Sequence, residues 1–263
     1  MIKLDDENKE ELIEFLNRDP YTNLFLIGDL FAFGFNDSIQ RYYGFYEGGR
    51  LECVLFRFRD DSLHVYGNIT EEVFDAIETL VETESFPRIF MGESTWKQVG
   101  DRLDHLIDIN HVSILSAYNP KDIKLDSGRA RVLTEDDAQA SVQLLNKHFG
   151  GKPIPVERYR DELISGERVS YGIKVDGRLV SIASYVAKTN DAAMIIGVCT
   201  DDDHQKKGYA SEIVKLMSDD LYAQGRKGVL FYTNPSAARI YERLGYEPYA
   251  HYHMIDLKRS KEK

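Results

Sequence analysis

The run Met194-Ile-Ile-Gly-Val-Cys-Thr200 is the feature that most constrains this chain. It carries no charge and lacks the apolar–polar alternation of a strand with one wet face. Such a strand is buried on both faces, as in the centre of a sheet covered by helices. The flanking segments agree with that placement. Val169–Val175 and Leu179–Ala187 read as strands joined at Asp176-Gly177, a hairpin turn dipeptide, and Ala192–Thr200 follows as a third strand. Residues 208–224 read as a helix ending at Gly225. Val229–Thr233 is a strand, and Pro235–Leu244 is a helix with Pro at its first position and Gly245 behind it. Arg131–Leu133 opens the segment as a short strand, the helices Asp136–His148 and Val156–Ser165 come next, and Tyr246–Leu257 closes it as a strand. The order is that of a mixed, mostly antiparallel α/β sheet flanked by helices.

The first half reads similarly. Tyr42–Glu47, Leu51–Arg57 and Ser62–Gly67 form a strand meander with a turn in Tyr46–Arg50. Thr70 caps a helix over Glu71–Val81, Arg88–Met91 is a strand, and Ser94–Leu106 is a helix. Lys3-Leu-Asp-Asp-Glu to Phe15-Leu-Asn17 lines up with Val132-Leu-Thr-Glu-Asp to Leu144-Leu-Asn146, an offset of 129 residues that suits a domain rather than a solenoid repeat. Between the halves, Asn119–Gly128 is polar, holds Pro and Gly, and has no apolar period. The expected organisation is a domain over 1–118, a linker over 119–128 and a second domain over 129–263.

Charge divides along the same joint. Residues 1–127 carry 12 Lys and Arg against 25 Asp and Glu, a net −13, while residues 128–263 carry 21 against 19, a net +2. The acidic half argues against nucleic-acid binding there, because phosphate contacts need Lys and Arg. It favours solubility, or a cationic substrate. The longest apolar stretch, Asn23–Phe35, is interrupted by Asp29 and is too short to span a bilayer. The start, Met1–Glu7, has no basic segment leading into an apolar one, and the two cysteines, Cys53 and Cys199, are far apart. No membrane, no secretion signal and a reducing cytoplasm are the expectations.

Behind the central strand lies Asp203-His-Gln-Lys-Lys-Gly-Tyr-Ala-Ser211. A glycine loop that feeds a helix N-terminus is an anion site, because the first turn leaves backbone N–H groups without partners and the helix dipole favours negative charge. Gly208 and the small Ala210 allow close approach, and Lys206 and Lys207 add positive charge. Gln205-Lys206-Lys207-Gly208-Tyr209-Ala210 resembles the pyrophosphate loop of the GNAT acyltransferase superfamily, Gln/Arg-x-x-Gly-x-Gly/Ala. Asn234-Pro-Ser-Ala-Ala-Arg-Ile-Tyr241-Glu-Arg-Leu-Gly245-Tyr246 is similar to a second GNAT pattern, Asn-x-x-Ala-x-x-x-Tyr-x-x-x-Gly-Phe/Tyr. The resemblance covers residues 129–257.

That resemblance implies a set of roles. The central strand and Val229–Thr233 would splay into a V that takes the pantetheine arm of acetyl-CoA along Val198, Cys199 and Thr200. Residues 205–210 would hold the pyrophosphate. Asn234 would touch the pantetheine or steady its turn, and Tyr241 would protonate the leaving thiolate. The reaction implied is N-acetylation of a primary amine on a small molecule or peptide, by direct attack in a ternary complex and without metal. The rival from another class is a non-catalytic CoA-binding or scaffold protein. Its support is the absence of a carboxylate in Met194–Thr200, where many relatives carry the general base. Asp201, His148, Tyr185 and a water chain stay open for that task.

The remaining features have plainer readings. His251 and His253 share a strand face but lack a third metal ligand. Cys199 reads as a small buried hydrophobe, and Trp96 as core. The aromatic run Phe31–Phe35 with Tyr42, Tyr43, Phe45 and Tyr46 reads as core packing or as the lining of an acceptor pocket. Gly67–Thr70 has the setting of a phosphate loop but not its chemistry, so the first half is expected to be a degenerate GNAT-like domain that binds no CoA and shapes the acceptor site. Oligomeric state stays open, a homodimer included.

Overall fold

Two glycine turns and a recurring helix start organise the chain. In the computed structural model, which describes residues 1–84, 86–123, 125, 128–150 and 153–258, the chain forms two compact units. One comprises Met1–Leu115 with Tyr249–Lys263, the other Ser116–Pro248. The C-terminal residues from Tyr249 therefore pack with the first unit, unlike the expected second domain over 129–263. Of the expected linker, residues 124, 126 and 127 lie outside the described residues, as do 259–263.

The first unit contains β1 (Ile2–Lys3), α1 (Lys9–Leu16), α2 (Leu24–Phe33), β2 (Gln40–Glu47), β3 (Arg50–Phe58), β4 (Ser62–Gly67), α3 (Glu71–Glu84), β5 (Arg88–Gly92) and α4 (Glu93–Leu103). It also takes β6 (Ile107–Tyr118) up to Leu115 and β12 (Tyr246–Leu257) from Tyr249. The strand order is β1-β2-β3-β4-β5-β12-β6, and β4 with β5 is its parallel pair. Gly48 and Gly49 both take positive φ, 57° and 79°, as a type I′ hairpin requires. Of the aromatic run, Tyr42 and Phe45 are core and Phe31 is exposed; the Tyr42 ring stacks on Phe56 at 4.5 Å, and its hydroxyl donates to the Leu26 carbonyl at 2.7 Å.

The second unit contains β7 (Arg131–Val132), α5 (Ala138–His148), α6 (Val156–Ser165), β8 (Val169–Val175), β9 (Arg178–Val186), β10 (Ala192–Thr200), α7 (Tyr209–Ala223), β11 (Lys227–Tyr232) and α8 (Pro235–Leu244). Its strand order is β11-β10-β9-β8-β7, antiparallel except for β10 with β11. Helices α5 and α6 cover one face, where Leu133, Val142, Leu144, Leu145, Tyr159 and Ile182 cluster. Helix α7 buries Ile213, Val214, Met217 and Leu221, a stripe at helical spacing. Each such side chain contributes about 1.5–3 kcal/mol on burial.

Both units begin their first helix in the same way. The Asn8 and Asp137 side chains accept from the Asp5 and Thr134 backbone N–H groups, each at 3.2 Å. The two bonds are one domain offset apart, so the duplicated pattern marks equivalent capped turns.

Candidate functional site

The central strand is fully buried only over its first half. Ala192–Ile195 are buried, whereas Ile196, Gly197 and Val198 are half-buried. The cause is a change of neighbours. β11 pairs with β10 from Lys227↔Ala192 to Leu230↔Ile195, while β10 continues along β9 to Thr200↔Ser181. The β9 register shifts between Ile196 and Cys199, where Gly197 takes φ +64°. A Cβ on Gly197 would lie 2.9 Å from a Leu145 methyl, so this bulge requires glycine.

Past the bulge, backbone direction follows from alternation. The Asp201 N–H donates to the Val180 carbonyl at 2.8 Å, and the Ser181 hydroxyl donates to the Cys199 carbonyl at 3.1 Å. Residues 199 and 201 thus turn toward β9, and Val198 and Thr200 turn their N–H and C=O groups the other way. The Gln205 amide donates to the Thr200 carbonyl at 3.4 Å and to Asp202 at 3.1 Å, tying the loop to the strand end.

Lys206 and Gly208 both take left-handed backbone, φ 61° and 81°. No atom lies within 4 Å of a Cβ built on Gly208, so the loop is open to solvent at the N-terminus of α7. No side chain caps that helix, and its first intrahelical bond runs from Glu212 N–H to the Gly208 carbonyl at 3.0 Å. The N–H groups of Tyr209, Ala210 and Ser211 precede it, as donors available to an anion. Lys207 is exposed beside them. A pyrophosphate fits this open, donor-rich turn.

Asn234 caps α8, its Oδ1 accepting from Ser236 N–H at 2.8 Å. Seven residues on, Tyr241 is buried, with its ring 5.7 Å from Tyr232 and 5.8 Å from Tyr246. Burial pushes its hydroxyl up to about 12, so it is a phenol at neutral pH. Burial likewise pushes the Cys199 thiol up to about 12, which suits an inert hydrophobe.

The candidate bases differ sharply. Burial works to raise the Asp201 carboxyl, but Lys147 at 3.5 Å and Arg178 at 2.5 Å outweigh it and hold the group below its ordinary value. A carboxylate held by two cations is a weak proton acceptor. Burial raises Tyr185, which keeps it neutral. His148, at the end of α5, has a buried Nε2 without a hydrogen-bond partner.

One contact carries no sequence signal. Glu212, buried in the first turn of α7, accepts from the backbone N–H of Arg129 at 2.8 Å and of Ala130 at 3.0 Å, and pairs with the Arg129 guanidinium at 2.6 Å. The guanidinium lies 4.8 Å over the Tyr209 ring. The partners are 83 residues apart, so only the fold reveals them.

Among its described residues, the first unit holds no such loop. The Gln98 amide donates to the Gly67 carbonyl at 3.1 Å, and its Oε1 accepts from Ile69 N–H at 2.9 Å, filling the setting at Gly67–Thr70. Glu71 and Glu72 start the next helix, and Arg102 pairs with Glu71 at 2.7 Å. Trp96 stacks on His253 at 4.6 Å. His253 is buried against Asn110 at 3.0 Å and Glu93 at 2.7 Å, whereas His251 is exposed. Among the described residues, no three His, Cys, Asp or Glu side chains gather to hold a metal ion, and no helix is long and apolar enough to cross a membrane.

The family model for the acetyltransferase (GNAT) domain matches residues 129–249. No curated protein matches the sequence. Among solved structures, the chain is similar to a GNAT-family acetyltransferase from Colwellia psychrerythraea, 15% identical with TM-score 0.61 over 97% of this chain and 98% of that one. It is similar to a GCN5-related N-acetyltransferase from Kribbella flavida, 17% identical with TM-score 0.61 over 89% and 98%. It is also similar to a tandem GNAT protein from the clavulanic acid biosynthesis pathway, 11% identical with TM-score 0.65 over 100% and 99%. At these identities the likeness is one of fold. Residues 129–249 of this chain are a domain of the GNAT acetyltransferase family.

Proposed function

We propose that this protein transfers an acetyl group from acetyl-CoA to a primary amine of a small molecule or peptide, by direct attack in a ternary complex. The observation that carries the reading is the parting of β10 from β11 after Ile195 and Leu230, directly before the open loop at Gly208. Val198, Cys199 and Thr200 line the parted edge for the pantetheine arm, and residues 205–210 receive the pyrophosphate. Asn234 holds the turn that presents α8. Acetyl-CoA supplies an activated thioester. The amine nitrogen bonds to the thioester carbon, the carbon–sulfur bond breaks, and the Tyr241 hydroxyl gives its proton to the sulfur. The ammonium proton leaves to solvent, from which Tyr241 is recharged. No metal is needed. In this reading the first unit is a degenerate GNAT-like partner in a tandem chain, acting in the cytoplasm with neither nucleic acid nor membrane as partner.

Tyr241→Phe tests the acid role: it should keep acetyl-CoA affinity and lose turnover by about 10²-fold or more, and unchanged turnover would reject it. Gly208→Glu should abolish acetyl-CoA binding by adding a like charge and a strained side chain to the loop. Tight binding by that variant would count against the loop. The second reading, a CoA-binding protein without turnover, draws on the pairing of Asp201 with Lys147 and Arg178, which leaves the strand end without a free carboxylate. CoA release over a panel of amines separates the two: binding without any acceptor-stimulated release supports the second.

A further inference from the structure

Tyr232 ends β11, two residues past the last pair with β10. It is 6% exposed, and its hydroxyl oxygen is buried without a hydrogen-bond partner among the described residues. Strand alternation places it on the face of Gly228, where an added Cβ would lie 2.8 Å from the Tyr246 hydroxyl. That is the face of Tyr241, whose ring is 5.7 Å away. Along the ring cluster Tyr232–Tyr241–Tyr246–Tyr118, the hydroxyls beyond Tyr241 are already engaged. The Tyr246 hydroxyl bonds Ser218 at 2.5 Å, the Tyr118 hydroxyl donates to Asp219 at 2.5 Å, and Asn234 caps its helix. Folded proteins rarely leave a buried hydroxyl unpaired, and one placed where two strands part is positioned to take its partner from a ligand seated between them.

We propose that the Tyr232 hydroxyl donates a hydrogen bond to the thioester carbonyl oxygen of the acyl donor. This rests on the acetyltransferase reading above. Tyr232 adjoins the residue assigned to the sulfur, and the acyl carbon is bonded to that sulfur, so the free hydroxyl belongs to the reacting end of the arm rather than to its amides. The two tyrosines then divide the work. Tyr232 keeps its proton and stabilises charge as it builds on oxygen, while Tyr241 gives its proton to sulfur. A bond of this kind strengthens during amine attack and lowers the barrier more than it tightens binding.

The test is Tyr232→Phe in the full chain. Melting is followed alone, with CoA and with acetyl-CoA, beside calorimetric affinities and acceptor-dependent turnover. Phe removes an unpaired hydroxyl, so the variant without ligand should melt at or above wild type. CoA should bind both proteins equally. Acetyl-CoA affinity should fall about three- to tenfold and kcat about 10²-fold. A lower melting point without ligand would mean a partner inside the fold and overturn the proposal. Equal losses for CoA and acetyl-CoA would overturn the assignment to the thioester carbonyl. Unchanged acetyl-CoA affinity and turnover would reduce the hydroxyl to a water site. If wild type binds neither CoA nor acetyl-CoA, the acetyltransferase reading itself fails, a result distinct from all of these.

Discussion

Glu212→Ala should be the most damaging single polar substitution in the second unit. The carboxylate is 3% exposed and receives two backbone N–H donors as well as the Arg129 guanidinium. Removing one partner of a buried charge pair costs about 3–5 kcal/mol. The Arg129 side chain is 38% exposed, so water can compensate the guanidinium, and the lower end, about 3 kcal/mol, applies. The stranded N–H groups of Arg129 and Ala130 keep the cost from falling further. At about 2–4 °C per kcal/mol, melting should drop by about 6–12 °C. Arg129→Met should cost less, since Glu212 keeps its two backbone donors. Urea unfolding of both variants and of the double variant gives the coupling energy. A loss under about 1 kcal/mol for Glu212→Ala, or strictly additive costs in the double variant, would refute the reasoning.

Three further outcomes follow from burial and charge. Burial pushes the thiols of Cys53 and Cys199 up to about 12, so iodoacetamide at pH 8 should label neither in the folded protein and both in urea, as mass spectrometry would read. The Asp201 carboxyl is held low in the folded state, so its stabilisation is full above the ordinary carboxylate range and disappears as pH falls through the folded value. Asp201→Asn should therefore flatten the acid side of the stability–pH curve, and an unchanged slope would contradict the pairing. The Tyr241 hydroxyl titrates near 12, above its unfolded value near 10, so its contribution to stability is intact below pH 10 and declines as pH rises toward 12. If Tyr241 is the acid, kcat should show no alkaline loss between pH 9 and 10.5; a fall with an apparent pKa near 10 that is absent in Tyr241→Phe would refute the raised titration, and the same fall persisting in Tyr241→Phe would assign the titrating group to another residue.

The legible parts of this chain were those written in local chemistry. The hairpin dipeptide at Asp176-Gly177, the helix from Pro235 to Leu244 and the strand before the glycine loop all needed only a few adjacent residues. Helix α2 carries no such local signal. Leu24–Phe33 is apolar apart from Asp29 and lacks a side-chain cap, so it shows no period until the sheet beneath it is known. Strand β6 carries no period-2 signal, because its first residues alternate irregularly between wet and half-buried positions. The half-exposure of Ile196–Val198 is hidden for another reason: their own sequence is that of a buried strand, and the departure of β11 exposes them. Tyr232 could not be singled out before that departure was seen.

The two units show how little sequence separates an open glycine loop from a filled one. Helix α4 follows Gly92 as α8 follows Asn234, so the capping amide is replaced by a residue with no side chain to cap with. Seven residues beyond Gly92 stands Val99, 1% exposed in the core, where the second unit has Tyr241 seven residues beyond Asn234. The apolar faces that fold each unit tolerate this exchange, because valine and tyrosine both bury surface there. The proposed chemistry would not, because valine has no proton to donate. The loop has changed in the same direction, with Gln98 bonded across Gly67 and Ile69, and with Glu71 and Glu72 where an anion would need positive charge. Gln98→Ala should therefore open the turn without creating a CoA site, since the two carboxylates at the helix start would still repel a pyrophosphate. Acetyl-CoA binding with a stoichiometry of two in that variant, against one in wild type, would show that the amide plug rather than the charge excludes the ligand.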